Sequence, residues 1–189
     1  MNGFLASGEG YRLKDEEVID SIMVKLSKPV GRHLYGVLGS YRALERFSVK
    51  LQEAKTLDGK PFPEPLSVNR GILETIPDDE FRKLVQDEAK RPEPTADHVK
   101  QAFESFLRTI LQKDGLVILK GLEMLFAYNV DLNALRTLAA DDFRIILLLP
   151  GRRDSGKIFM FPGPGPITYN LPTNLIAEDH LWELRDGKL

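Results

Sequence analysis

The chain has 189 residues, 42% of them hydrophobic and 29% charged, and 26 Lys+Arg against 28 Asp+Glu give a formal net charge of −2. That balance excludes a mostly disordered chain, a collagen-like chain and a coiled coil, and it provides no global attraction to nucleic acid. The lack of Cys excludes a disulfide scaffold, thiolate metal sites and a Cys nucleophile, and is compatible with a reducing cytoplasm.

Residues 1–14 read as a flexible arm, without the basic start and apolar run of a secretory signal, and residues 15–189 as one domain. Asp15 to Leu26 predicts a helix: Val18, Ile19, Ile22, Met23 and Leu26 recur at helical spacing, acids fill the first turn and Pro29 lies beyond the end. Leu34 to Leu38 suits a buried strand. Gly39-Ser40 then turns into a helix from about Arg42 to Ala54. Residues 56–65 have loop composition, and Leu66 to Asn69 predicts a short strand. Helices follow at Asp78 to Ala89 and Ala96 to Gln112, separated by Arg91-Pro92-Glu93-Pro94. The second has Val99, Phe103, Phe106, Leu107, Ile110 and Leu111 on one stripe and Thr95 as its cap.

The second half changes character. Gly115 to Leu119 and Phe143 to Leu149 are apolar at successive positions, as strands of a parallel sheet covered on both faces are. Asp131 to Ala140 between them predicts a helix, giving the strand–helix alternation of an α/β layer fold. Lys157 to Phe161 and Ile167 to Leu171 flank a Pro-Gly run and predict a strand pair, and Glu178 to Leu184 a short helix. The longest apolar run, Ile145 to Leu149, is far short of the roughly 20 residues of a membrane-spanning helix.

The strand–Gly–helix at residues 34–54 stands where a P-loop would. That motif, G-x-x-x-x-G-K-[ST], cradles phosphate with backbone N–H groups, reaches it with Lys and holds Mg²⁺ with a hydroxyl. The chain reads Gly39-Ser40-Tyr41-Arg42-Ala43-Leu44-Glu45-Arg46, so Leu44, Glu45 and Arg46 replace the second Gly, the Lys and the hydroxyl. Arg42 and Arg46 are the cations able to restore the lost charge; the alternative, and the favoured reading, is an ordinary βα turn. After the strand at 115–119, Lys120 occupies the place of a Mg²⁺-binding acid, and Glu123 is the remaining carboxylate, a candidate water-activating base. Arg152, Arg153 and Lys157 form a small basic loop, either a solvated turn or a contact for DNA or an acidic partner. His33, His98 and His180 lack metal-ligand spacing and share no role, so no metal site is expected.

The layout also resembles a family. It is carried by Leu66-Ser67-Val68-Asn69, Leu73 and Pro77, then by Leu116 to Phe126 with Lys120-Gly121-Leu122-Glu123 at its centre. Asp131-Leu132, Leu135 and Leu138 follow, then Ile145 to Leu149 with Pro150-Gly151, Gly156 to Phe159, Pro162-Gly163, Pro166 and Tyr169. Over residues 15–171 this pattern resembles the small P-loop proteins called BrxF of bacteriophage-exclusion (BREX) defence loci. The resemblance implies a cytoplasmic bacterial protein with an ASCE-type P-loop sheet. It would work beside a larger ATPase, a DNA methyltransferase and an alkaline-phosphatase-like protein, and Glu123 matches the family's acid at its position.

The expected fold is therefore α/β, a three-layer P-loop NTPase-like domain with a mostly parallel central sheet and a short C-terminal β extension. The expected function is that of a catalytically inactive assembly or regulatory subunit of an antiphage system. No cofactor is expected, with ATP and Mg²⁺ left open. The partners would be other subunits of the defence complex, with DNA contact and self-association also open and no membrane. The alternatives are a nucleotide-binding or weakly active ATPase, and a DNA-binding or general protein-interaction module.

Overall fold

The computed structural model describes residues 12–88, 90–163 and 167–186. Its strands, numbered in chain order, are β1 (Arg12–Leu13), β2 (Leu34–Gly39), β3 (Leu66–Ser67), β4 (Leu116–Lys120), β5 (Arg144–Asp154), β6 (Lys157–Met160), β7 (Tyr169–Asn170) and β8 (Leu181–Leu184). The central sheet runs β1-β8-β2-β5-β4-β3, with every neighbour parallel. In register, Leu34 of β2 lies beside Ile145 and Gly39 beside Pro150, while Leu116 of β4 lies beside Arg144.

Successive residues of the central strands bury into different layers. Ile145, Leu147 and Leu149 join one cluster, with Val99, Phe103 and Leu107 of α5 (Pro92–Asp114). Ile146 and Leu148 join another, with Val18 and Ile22 of α1 (Asp15–Leu26) and Phe47 and Leu51 of α2 (Tyr41–Glu53). Each such side chain contributes about 1.5–3 kcal/mol on burial, which is why an uninterrupted apolar strand settles between two helical layers. α3 (Val68–Thr75), α4 (Asp78–Glu88), α6 (Glu123–Ala127) and α7 (Asn133–Leu138) share the layer of α5. Gly71 permits the tightest helix contact, since a Cβ there would lie 2.4 Å from the Phe106 ring. The chain is thus an α/β protein with a mostly parallel sheet between helical layers, consistent with a three-layer P-loop-like fold.

Several expectations change. Residues 1–11 of the expected arm lie outside the described residues, but Arg12 and Leu13 form an edge strand on β8. Leu181 to Leu184 is a strand inserted between β1 and β2, not a helix; a 3₁₀ turn, Glu178–His180, leads into it. Its four residues are too few to display a helical or strand period. Gly36 makes room for it, because a Cβ there would meet Leu181 Cδ1 at 2.7 Å. Arg91-Pro92-Glu93-Pro94 is no linker: Pro92 and Pro94 occupy the first turn of α5, where a missing N–H costs little. Thr95 accordingly sits inside the helix, buried and without a hydroxyl partner among the described residues, and caps nothing. The strand expected over Leu66 to Asn69 stops at Ser67, whose hydroxyl accepts the Arg70 N–H and starts α3.

β5 continues through Pro150 to Asp154 and folds back through Ser155-Gly156, both at positive φ (49° and 78°), as a two-residue hairpin turn requires. β6 and β7 complete the expected strand pair. Phe126, Phe161 and Tyr169 meet edge to face with centroids 5.0–6.1 Å apart, tying this extension to α6.

Candidate functional site

The carboxyl ends of the strands bring together most of the residues singled out from the sequence. β2 ends at Gly39 and α2 starts at Tyr41, so Ser40 alone joins them. The Ser40 hydroxyl accepts the Ala43 N–H (3.2 Å) and donates to Asp186 Oδ1 (2.8 Å). The window Gly39 to Arg46, read as the counterpart of a phosphate-binding loop, is therefore a strand end, a cap and the opening of a helix. A loop long enough to wrap a phosphate has no room here. The favourable end of the helix dipole already faces a carboxylate of the chain itself. Gly39 has a packing reason: a Cβ there would lie 3.3 Å from Leu184 Cβ of β8.

The two candidate cations separate. Arg42 is exposed and makes no ion pair among the described residues. Arg46 forks onto Asp15, with Nε to Oδ2 at 2.7 Å and Nη2 to Oδ1 at 2.8 Å, and Nη2 also donates to the Arg185 carbonyl at 3.0 Å. Lys50 stands 3.1 Å from the same carboxylate. Asp15 is 3% exposed, and the hydrogen bonds from Arg46 hold its carboxyl below the usual carboxylate range despite burial. Arg46 is thereby committed to joining α1, α2 and the end of β8.

Glu123 opens α6, two residues after Gly121, whose φ of +65° turns the chain sharply out of β4. Its Oε2 accepts from Asn69 Nδ2 (2.8 Å) and its Oε1 from the Tyr41 hydroxyl (3.3 Å). Asn69 in turn accepts the Met124 N–H on its Oδ1 (3.0 Å) and donates its own N–H to the Gly121 carbonyl (2.9 Å). This locks the starts of α3 and α6 together. Burial and then the neighbouring Glu123 push the Tyr41 hydroxyl's pKa upward, so it stays a neutral donor. Both oxygens of the one expected catalytic carboxylate are engaged by the protein. Lys120 ends β4, exposed.

The basic loop is not a loop. Arg152 and Arg153 lie in β5 opposite Phe159 and Ile158 of β6, so they point to opposite faces of the hairpin. Arg153 pairs with Glu178, while Arg152 and Lys157 remain exposed on one face with Asp154 between them. The three do not converge.

Sequence reasoning missed four residues here. In the sequence Asp15 reads as a first-turn acid, Asn69 as part of a strand and Tyr41 as a filler inside a motif window, and Asp186 carries no signal. The one local signal available was the helix-breaking Gly121 before Glu123. Two histidines without a shared role in the sequence also pack on one tyrosine. His33, 2% exposed, has Nδ1 2.8 Å from the Tyr35 hydroxyl, and the Tyr35 and His180 rings lie 4.8 Å apart at the opposite end of β2.

Among the described residues no cluster of His, Asp and Glu is arranged to hold a metal ion, and no helix is long and apolar enough to cross a membrane. No protein-family model, no curated protein and no solved structure matches the chain.

Proposed function

We propose that the chain is a P-loop-like subunit without ATPase activity that serves assembly or regulation in a cytoplasmic bacterial antiphage system of the BREX type. The observation that carries the first part is the single-residue junction at Ser40, with its hydroxyl on Asp186. Phosphoryl transfer depends on positioned cations and dipoles around the phosphates. At this junction the helix end meets a carboxylate, Arg46 is held on Asp15, and Glu123 is held by Asn69 and Tyr41. The α/β frame stands while Ser40, Arg46 and Glu123 are held within the chain, and Arg42 alone of the two candidate cations stays exposed. The second part, the defence role, rests on the resemblance over residues 15–171.

Thermal unfolding with and without excess Mg-ATP or Mg-ADP tests the reading, since a ligand of the native state raises Tm by mass action. The expected outcome is no shift with either nucleotide. A clear rise, or ATP turnover abolished by Glu123→Ala, would sink it. Affinity capture from a bacterium carrying the intact locus tests the partner claim; recovery of no other product of that locus would count against it.

A further inference from the structure

We propose that the amino end of the sheet carries a docking slot for an extended, basic segment of a partner protein, seated against the open edge of β4. A cavity of about 680 Å³ lies there, between the end of α1, residues 56–64 and the start of β4. That volume is in the range of ligand-binding clefts. Its floor is apolar, formed by Met23, Leu26, Phe62, Leu66, Leu116 and Val117. The proposal goes beyond the reading above and does not depend on whether the carboxyl end binds nucleotide.

The sheet edge supplies the reason for an extended occupant. β3 covers β4 only at Leu119 and Lys120. The residues before β3 are Pro61-Phe62-Pro63-Glu64-Pro65, and prolines at alternate positions have no N–H to offer a ladder. Among the described residues, no backbone hydrogen bond joins 61–65 to 116–118. The Arg144 N–H donates to the Gly115 carbonyl (2.8 Å), so Gly115 and Val117 turn their polar groups toward β5. By alternation, Leu116 turns its N–H and C=O outward, beside the slot. An unpaired edge next to an apolar cleft is the setting for strand addition, in which main-chain bonds hold the peptide and the cleft takes alternate side chains.

The rim supplies the charge. Glu64, Asp114 and Asp142 are exposed and make no ion pair among the described residues. Lys60 is balanced by Asp58 at 3.3 Å, which leaves Arg144 as the one other lining cation, with its Nη1 on the Asp142 carbonyl. The surplus is negative, so the complementary segment alternates apolar side chains with Lys or Arg.

The test uses the whole chain and a fluorescein-labelled peptide of sequence Lys-Val-Lys-Val-Lys, its Glu-for-Lys counterpart, a backbone N-methylated form of the basic peptide, and spermidine. Anisotropy should show saturable, salt-sensitive binding of the basic peptide and none of the acidic one. N-methylation, which removes strand donors without touching the protein, should weaken binding by about tenfold or more. Asp114→Asn with Asp142→Asn, both surface changes that leave Tm unchanged, should weaken it by about tenfold. The Leu116 amide resonance should move on titration. The proposal is overturned if the basic peptide does not bind by about 1 mM. It is also overturned if the acidic or N-methylated peptide binds equally well, if Leu116 does not respond, or if spermidine displaces the peptide completely, which would make the cleft a small-cation site.

Discussion

The two ends of one sheet have opposite characters. At the carboxyl ends, Ser40, Asp186, Arg46, Asp15, Asn69, Tyr41 and Glu123 bond to one another, while Arg42 and Lys120 stay exposed. At the amino ends, an apolar cleft, three unpaired carboxylates and the outward backbone of Leu116 are left without partners among the described residues. The cause is the reach of β8 on one side of the central strands and of β3 on the other. β8 carries the chain past the end of β2 and delivers the Arg185 carbonyl and the Asp186 carboxylate onto α2. β3 begins only at Leu66, beside Leu119, and leaves Leu116 to Ile118 of β4 without a paired residue on that side. The end with the strand positions of a nucleotide site is thus the self-saturated one, and capacity for a partner lies at the other.

The largest expected effect breaks the carboxyl-end clasp. Asp15→Ala removes a buried two-pronged contact and leaves Arg46 with only the Arg185 carbonyl, while Lys50 keeps Glu16 at 2.6 Å; it should lower stability by about 2–3 kcal/mol in urea unfolding. Because the folded carboxyl is held below its ordinary range, its contribution is full at neutral pH and fades as pH falls through the lowered value. Asp15→Ala should therefore flatten the acid limb of the stability profile. An effect below about 0.5 kcal/mol would mean that α1 and β8 are held by packing alone.

A pH scan probes the amino end separately. Burial pushes His33 downward, with Arg144 and His180 adding to it and Asp141 opposing. Burial does the same to His180, against Asp179 and with Lys25 and Lys28. Tyr35 between them, its hydroxyl raised to about 12 by burial, stays neutral. The unfolded chain protonates both histidines below about 6.5, and the folded one resists, so stability should fall as pH drops from 7 to 5. His98, raised by its bond to the Pro94 carbonyl and by Glu80, acts with the opposite sign, so the scan is best run in His98→Gln. A flat profile in that variant would show that His33 and His180 are not protected from water.

Ser40→Ala, expected to cost about 1 kcal/mol, separates a cap from a ligand site. It removes both the Ala43 bond and the hold on Asp186. If the helix end were instead a working anion site, freeing Asp186 would be accompanied by a new stabilisation from inorganic phosphate in the variant. None is expected, because the junction remains one residue long.

How far the sequence could be read follows from the range of each signal. The alternate burial of β5 was legible because uninterrupted apolar runs have one good home, between two helical layers. α1 was legible to both ends, because its spacing and its first-turn acids are local. β1 and β8 were not, since strands of two and four residues have no measurable period and exist only through long-range pairing, β1 on β8 and β8 on β2. The site divides the same way. Glu123 could be found from its place after a strand and a glycine, but its partners come from 54 and 82 residues away in sequence. The missing Lys and hydroxyl of the P-loop window were visible. The short junction was legible to within a residue as well, since a Gly39-Ser40 turn into a helix from about Arg42 differs by one position from a helix that starts at Tyr41; the engagement of Ser40 by Asp186, 146 residues away, was not.

The smallest expected effect is the most discriminating for the carboxyl end. In Glu123→Gln the side-chain carbonyl oxygen still accepts from Asn69 or Tyr41, while the negative charge is gone. If the residue serves to fasten α6 to α3, stability should change by less than about 0.5 kcal/mol and partner capture should be unchanged. Asn69→Ala should cost more, about 1–2 kcal/mol, because it releases both the Glu123 carboxylate and the Met124 N–H. A catalytic carboxylate gives the reverse ranking in an activity assay: the charge matters most and Asn69 matters through its hold on it. The order of the two variants in stability and in turnover therefore tells a fastening from a catalyst, whatever the substrate.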